Sequence, residues 1–151
     1  MKRVVTCCLL IAMIFCIIPT FGKAETVEEK VVAVFEDGSY ITEEIAVTQN
    51  RASGSKAGTK SHTYYAGDGT AKWKATLTGT FTYTGTSSTC TGASCNVTIY
   101  DSAWYTISKS ATKSGNMATA SVTMGQKLLG ITISQISTSL SITCDANGNL
   151  S

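Results

Sequence analysis

The sequence predicts an all-β fold, an antiparallel β-sandwich, and three observations support that prediction. Residues 73–84 (WKATLTGTFTYT) alternate apolar and polar side chains, and a period of two indicates a half-buried strand. Turn signals recur about every ten residues along the chain, as in all-β domains. No stretch shows convincing helical periodicity. A squat β-barrel is the alternative architecture, and either fold would hold seven or eight strands.

The N-terminus has the pattern of a secretory signal peptide over residues 1–24. Lys2 and Arg3 precede an apolar run over residues 4–18, and small residues at Gly22 and Ala24 suit cleavage between Ala24 and Glu25. An uncleaved anchor is the alternative, but the run falls short of the roughly 20 residues that span a bilayer. We therefore expect a secreted, extracellular protein with no membrane attachment after cleavage.

Charge divides the mature chain into an acidic N-terminal segment (25–51) and a β-sandwich domain (52–151). Residues 25–49 hold seven acidic residues and one basic residue, whereas residues 50–151 hold three acidic and eight basic ones. The segment is either a solvated tail or a cover for the basic body. Its Asp37-Gly38 pair predicts a hairpin. A helix over residues 27–35 and a pro-segment removed later are the alternatives.

The domain itself divides into strands by alternation and turn signals. Besides the strand over 73–84, with Gly79 at a bend or a close approach, we predict strands over residues 60–66, 96–100, 103–110, 118–124 and 131–144. Polar connections are expected over residues 51–59 and 85–94, a further connection over 125–130, and a polar tail over 145–151.

Two details of these strands concern which side chains face the core. In the strand over 103–110, either Trp104 or the pair Tyr105 and Ile107 faces inward. In the last strand the apolar phase slips by one residue, so a β-bulge at Ser134-Gln135 or a break there is needed to restore one buried face.

Three cysteines remain in the mature chain: Cys90, Cys95 and Cys144. An oxidising compartment favours one disulfide and leaves one odd thiol, and the spacing leaves all three pairings open. A covalent dimer through the odd cysteine is one consequence.

Several segments resemble small, uncharacterised secreted β-sandwich proteins of Gram-positive, clostridia-type bacteria. They are GSKAGTKSHTYYAGDGTAKWKATLTGTFTYTGTSSTC, SAWYTISKSATKSGNMATA and SLSITCDANGNLS, within residues 52–151. The resemblance implies export, an all-β fold and a disulfide between Cys90 and Cys144, with Cys95 as the odd thiol. A short GSK…SHT run over residues 54–63 is also similar to bacteriocins of the lactococcin 972 type.

No catalytic constellation stands out in the sequence. His62 is the single histidine, and a strand histidine facing solvent is the expected state, because a general base needs a partnered nucleophile and a shielded site. One histidine and oxidised thiols do not make a metal site. We therefore predict no catalytic residue, no metal and no cofactor. Scattered lysines and a single mature arginine, Arg51, argue against nucleic-acid binding.

Aromatic side chains are the candidate binding residues: Tyr64, Tyr65, Trp104 and Tyr105. The alternative is that each tyrosine is a half-buried sheet residue. Trp73 is assigned to the core. The predicted function is a secreted, non-catalytic β-sandwich that binds a cell-wall polymer, glycan or protein. The alternative is a bacteriocin-like effector whose acidic segment masks a basic body.

Overall fold

The computed structural model describes residues 25–26, 29–48 and 54–151. The signal segment predicted over residues 1–24 lies outside the described residues. So does part of the connection predicted over residues 51–59. The described elements are β1 (Glu25–Thr26), β2 (Lys30–Val34), β3 (Tyr40–Thr48), β4 (Ser55–Tyr65), β5 (Ala71–Tyr83), β6 (Ser88–Ile99), β7 (Trp104–Ser114), β8 (Met117–Leu128) and β9 (Ile131–Thr143).

The strands form two antiparallel sheets, as predicted. The large sheet has the order β3-β4-β5-β6, with β1 and β2 both paired to the outer edge of β3, and the small sheet has the order β7-β8-β9. The described strands do not close into a barrel, so the sandwich is confirmed over the alternative. Without the two-residue β1, eight strands remain, in agreement with the predicted number.

The core lies between β5 and β8, the two central strands. The inward residues of β5 are buried, as its alternation predicts: Trp73, Ala75, Leu77, Gly79 and Phe81. The inward residues of β8 are buried as well: Ala118, Ala120, Val122 and Met124. The sheets approach closely at Gly79, where an added Cβ would lie 3.2 Å from that of Ala118 and 2.7 Å from the Phe81 ring. This confirms the close approach expected at Gly79.

Three strands extend into segments that were predicted to be connections. β4 begins at Ser55, β6 begins at Ser88, and β8 continues to Leu128. The first two segments are rich in Gly, Ser and Thr, which favour turns locally, and the third begins and ends with Gly. Cross-strand pairing decides otherwise, because Ser55 pairs with Thr82 and Ser88 pairs with Tyr83. The predicted loops at 51–59, 85–94 and 125–130 were therefore too long.

The predicted irregularity in the last strand exists, but it lies one residue earlier. Gln126 pairs with Ser134 and Lys127 pairs with Thr132, so the extra residue is Ile133. Ile136 and Leu140 face the other sheet beyond this bulge, while Ile131 and Ile133 stay exposed. β9 is thus one continuous strand with an apolar N-terminal end in solvent.

The acidic segment is part of the large sheet. β2 and β3 form a hairpin that turns at Asp37 and Gly38, and residues 30–34 are a strand rather than the alternative helix. Gly38 has a φ of +79°, a conformation that glycine adopts at little cost. β3 pairs with β4 from Tyr40 to Thr48, and its Ile41 belongs to the core.

The C-terminal residues 144–151 form an ordered hook rather than the predicted polar tail. Cys144 pairs with Leu150, and one Asp145 carboxylate oxygen accepts the backbone N–H groups of Asn147 and Asn149, each at 2.8 Å. Leu150 then packs against Gly58. The hook lies at the end of the sandwich opposite the β8–β9 turn. There Leu150 occupies the space that a side chain at residue 58 would need.

Candidate functional site

The four predicted binding residues lie in three separate places. Tyr64 and Trp104 are core residues, 6% and 4% exposed. Tyr65 is half-buried on the outer face of the large sheet, and Tyr105 is half-buried on the small sheet, against Gly125. Tyr64 and Trp104 are largely buried, so Tyr65 and Tyr105 are the more accessible candidates, and they lie at separate sites.

Tyr64 and Trp104 complete an aromatic cluster at one end of the sandwich. Tyr64 stacks on Trp73 with ring centroids 5.5 Å apart, and its centroid lies 5.1 Å from that of Trp104. The Trp73 assignment to the core is confirmed, and Trp104, not the pair Tyr105 and Ile107, faces inward. The cluster holds the two sheets together at this end, since Trp73 comes from the large sheet and Trp104 from the small one.

A second pair of tyrosines stacks on the outer face of the large sheet. The Tyr40 and Tyr65 rings lie 5.0 Å apart and 14° from parallel, because the two residues are paired across β3 and β4. The Tyr65 hydroxyl donates a 3.3 Å hydrogen bond to Glu29. Burial, followed by the negative charge of Glu29, raises the pKa of Tyr65. We call Tyr40 and Tyr65 the tyrosine platform.

Charged and hydroxyl groups border the tyrosine platform along the same face. Lys74 donates a 3.0 Å hydrogen bond to Glu44, and the Ser61 and Thr76 hydroxyl oxygens are 3.0 Å apart. The cross-strand rows on this face contain mostly Ser and Thr, and three hydroxyl residues nearest the platform are buried beneath longer side chains: Thr42, Ser61 and Thr63. The face therefore offers two aromatic rings beside the Lys74–Glu44 ion pair, next to a group of buried hydroxyl residues.

Sequence reasoning found only part of this face. The threonine-rich side of β5 follows from its alternation, and Tyr65 was a named candidate. Tyr40, Glu44 and Lys74 were missed, because they come from different strands and only the pairing of β3, β4 and β5 places them together. A β-type run after the Asp37-Gly38 turn was the available signal for Tyr40.

His62 is buried and hydrogen-bonded, which corrects the expectation of a solvent-facing histidine. His62 is only 6% exposed to solvent. The Nδ1 atom lies 2.6 Å from the Thr138 hydroxyl, and the Nε2 atom lies 3.1 Å from a Glu43 carboxylate oxygen. The cause is register: His62 and Tyr64 share the inward face of β4, and Thr138 reaches it from β9.

The order hydroxyl, imidazole, carboxylate is that of an activated nucleophile. Here the three groups connect the sheets, since Glu43 and His62 belong to the large sheet and Thr138 to the small one. Lys60 also approaches Glu43, at 3.9 Å. The arrangement is a polar link between the two sheets.

Cys90 and Cys144 are both hydrogen-bonded through their backbones to the β7–β8 turn. The Cys90 N–H donates to the Gly115 carbonyl at 2.8 Å, and the Cys144 N–H donates to that of Asn116 at 3.0 Å. Both side chains are buried, and burial raises the pKa of both thiols. All three described cysteines carry free thiols, so the disulfide stays a prediction. Cys95 is half-buried on β6, away from that turn.

Among the surface grooves of the described residues, two lie at opposite ends of the sandwich. One, of about 410 Å³, is lined by Gly54, Tyr83, Thr84, Gly85 and Asn147, next to the hook. The other, of about 350 Å³, lies between the β2–β3 turn and β9. Its lining residues include Phe35, Glu36, Asp37, Tyr64 and Ile136.

Within the described ranges, no group of three or more His, Cys, Asp or Glu side chains is arranged to hold a metal ion. The part of the chain that the structure covers also contains no helix of the length and hydropathy needed to cross a bilayer. Comparison with known protein-family models, curated proteins and solved structures found no match.

Proposed function

We propose that this protein is a secreted, non-catalytic β-sandwich that binds a cell-surface polymer, with the tyrosine platform as its contact surface. The observation that carries the proposal is the Tyr40–Tyr65 stack beside the Glu44–Lys74 ion pair on one face. Aromatic rings pack on apolar faces of sugars and side chains, and neighbouring polar groups fix orientation. A glycan of the cell wall suits both features, and a protein surface is the second choice.

The rigidity of the site supports a binding role. All its residues lie on paired strands rather than on loops, and the hydroxyl residues beneath the platform are buried. A preformed surface loses little conformational entropy when a ligand binds. The same rigidity leaves His62 locked between Glu43 and Thr138, so we propose no catalytic step and no cofactor.

The binding form in this proposal is the intact chain 25–151. The effector alternative needs release of the acidic segment. That segment contains β3, which pairs with β4 from Tyr40 to Thr48 and buries Ile41. Its release would uncover core side chains and break the contact of Glu43 with His62. The acidic segment therefore supports the sandwich and carries half of the tyrosine platform.

Export completes the proposal, with cleavage after Ala24 and oxidation of Cys90 and Cys144 outside the cell. The two cysteines bond to adjacent residues of one turn, which supports their pairing. In the chain-entropy model, a bridge across this separation contributes about 4 kcal/mol. Intact mass of the native secreted protein tests both points. A chain starting at Glu25 and lighter by two hydrogens than its reduced form is expected, and an unchanged mass on reduction would contradict the bridge.

Binding is tested by cosedimentation of the purified chain with insoluble cell-wall polymer. We expect retention of the parent protein, an at least tenfold loss for Tyr65→Ala, and little loss for Tyr65→Phe, which keeps the ring stack. Tyr105→Ala is the matched control, because Tyr105 is a half-buried tyrosine on the other sheet. Equal losses for Tyr65→Ala and Tyr105→Ala would contradict a role of the platform, and no retention with any wall or surface fraction would reject the proposal.

A further inference from the structure

The β8–β9 turn exposes four large aliphatic side chains. Leu128, Leu129, Ile131 and Ile133 are 59%, 95%, 69% and 54% exposed. Lys127 stands at the base of this turn, with its Nζ 4.3 Å from the centre of the Tyr105 ring. It is also the only charged residue between Met117 and Cys144. We call residues 128–133 the apolar tip.

The backbone of the apolar tip is strained at its apex. Leu129 has a φ of +50° and Gly130 a φ of +82°, as in a two-residue hairpin turn. Such turns favour Asn or Gly, because a side chain with a Cβ is disfavoured in the left-handed conformation. A leucine here is unfavourable for its backbone and for its exposure to water. Strain of this kind clusters where a residue meets a ligand or partner.

The same end of the molecule carries a groove with complementary properties. Phe35, Tyr64 and Ile136 supply its apolar lining, and Glu36 and Asp37 supply acidic groups. Its volume of about 350 Å³ can accept aliphatic side chains. Val34, which precedes Phe35, is 72% exposed and enlarges the apolar surface beside it.

We propose that two copies of this chain associate end to end, each placing its apolar tip in the groove of the other. The tip and the groove lie at one end of the sandwich, since residues 134–136 line the groove and residues 128–133 form the tip. One two-fold axis can therefore satisfy both contacts at once. In this arrangement Lys127 of each copy faces the acidic groups at the other groove.

Charge favours a second copy over a lipid surface as the occupant. Glu36 and Asp37 are exposed at the same end as the tip, and they would be repelled by anionic headgroups. In a dimer they meet a lysine instead. The interface is small, so we expect a reversible dimer with a dissociation constant on the order of micromolar.

The first test measures sedimentation of the parent protein and of Leu129→Asn over a range of concentrations, with reductant present. Asparagine suits the left-handed conformation. We therefore expect Leu129→Asn to weaken association at least tenfold while its melting temperature stays equal or rises. Met117→Asn is the control, because Met117 is an exposed apolar residue at the opposite end of β8 and should leave association unchanged.

The second test exchanges charges between the tip and the groove. Lys127→Glu and Glu36→Lys should each weaken association at least fivefold, and the double exchange should restore it. Lys109→Glu, on β7, controls for net charge. Failure of the double exchange to restore association would overturn the assignment of the groove.

Three further results would overturn the proposal. One is a parent protein that stays monomeric at every concentration. Another is a dimer that is present only without reductant, which would point to Cys95. The third is Leu129-dependent binding to phosphatidylglycerol vesicles by a protein that is monomeric in solution, which would make lipid the target. Each is distinguishable from failure of the wall-binding proposal, whose readout depends on Tyr65.

Discussion

At the scale of single residues, the surroundings of a side chain decide its role more than its type does. His62 is the clearest case. It lies in a Ser/Thr-rich segment, and it links the two sheets because β9 places Thr138 next to its Nδ1 atom. A buried polar group that loses its partner keeps its desolvation penalty. The hydroxyl of Thr138 is therefore expected to stabilise the fold more than the exposed hydroxyls of the same strand.

Replacing Thr138 by valine should lower the free energy of unfolding by about 1–3 kcal/mol, because it leaves the buried His62 nitrogen without its hydroxyl partner. Urea unfolding at neutral pH measures the change. Ser139→Ala, at the adjacent exposed position, is the control and should change it by less than about 0.5 kcal/mol. Equal effects of the two substitutions would contradict a stabilising role of the Thr138 contact.

Gly79 is the second residue whose role depends on packing. Gly79→Ala should destabilise the fold by about 1–3 kcal/mol, because its Cβ would lie 2.7 Å from the Phe81 ring in the closely packed core. Gly92→Ala serves as control, since its Cβ would meet mainly the movable Thr80 hydroxyl. Thermal unfolding of the two variants gives the comparison, and a Gly79→Ala protein as stable as the parent would show that the sheets can separate at little cost.

At the scale of elements, the C-terminal hook is the part whose contribution is least apparent from its composition. After Cys144 its sequence is DANGNLS, in which Leu150 is the only large apolar residue. Asp145 fixes the turn, and the Ser151 N–H and carbonyl both bond to Thr143, at 3.1 and 2.9 Å. These bonds place Leu150 over Gly58 and Gly148 against the Tyr83 ring. The hook thereby shields one end of the core.

Leu150→Ala should therefore cost about 1–2 kcal/mol, less than a fully buried leucine because Leu150 is only partly buried. The same change should increase cleavage of the C-terminus by carboxypeptidase. Leu128→Ala, which shortens an exposed leucine of the apolar tip, is the control and should leave the stability of the monomer unchanged. A resistant, fully stable Leu150→Ala protein would mean that the hook is dispensable.

At the scale of the whole molecule, carboxylates of the acidic segment lie next to lysines of the basic body. Glu43 approaches Lys60 at 3.9 Å, and Glu44 pairs with Lys74 at 3.0 Å, so β3 covers lysines of β4 and β5. The described part of the acidic segment is thus paired into the large sheet, with two of its carboxylates next to lysines of the body. Ion pairs of this kind contribute little individually at the surface.

Acid is expected to destabilise the molecule in a defined range of pH. Hydrogen bonds lower the pKa of four aspartates below the usual 3.8. Asp37 accepts from Ser39, and Asp68 accepts from Thr70. Asp101 accepts from Ala103, and Asp145 accepts from Asn149. A lowered folded-state pKa means that stability is fully present above pH 3.8 and is lost as pH falls through the lowered values. Urea midpoints measured from neutral pH downwards should be flat until about pH 4 and then fall.

The matching control is Asp145→Asn, which removes one of these carboxylates and should reduce the steepness of the acid loss. A midpoint that falls already near pH 6 would contradict the assignment, because the aspartates are ionised there.

The buried thiols make stability depend on pH in the alkaline range. Burial raises the pKa of Cys90 and Cys144 above the usual 9.0, so the reduced protein should lose stability as pH rises beyond that value.

The sequence by itself determined the class of fold and its two central strands. A period of two is a local property, so the alternation of β5 and β8 predicted which of their side chains are buried. It also located the Asp37-Gly38 turn. Strand ends were less predictable, because Ser, Thr and Gly favour turns in isolation and join strands when a partner is alongside.

Only the tertiary structure decided which residues meet. The tyrosine platform joins β3 to β4, the His62 contacts join the large sheet to the small one, and Cys90 reaches Cys144 through the turn at Gly115 and Asn116. The strain at Leu129 likewise depends on how β8 and β9 are paired. These features depend on cross-strand register and on sheet packing, which are contacts between residues far apart in the chain, and no local pattern specifies them.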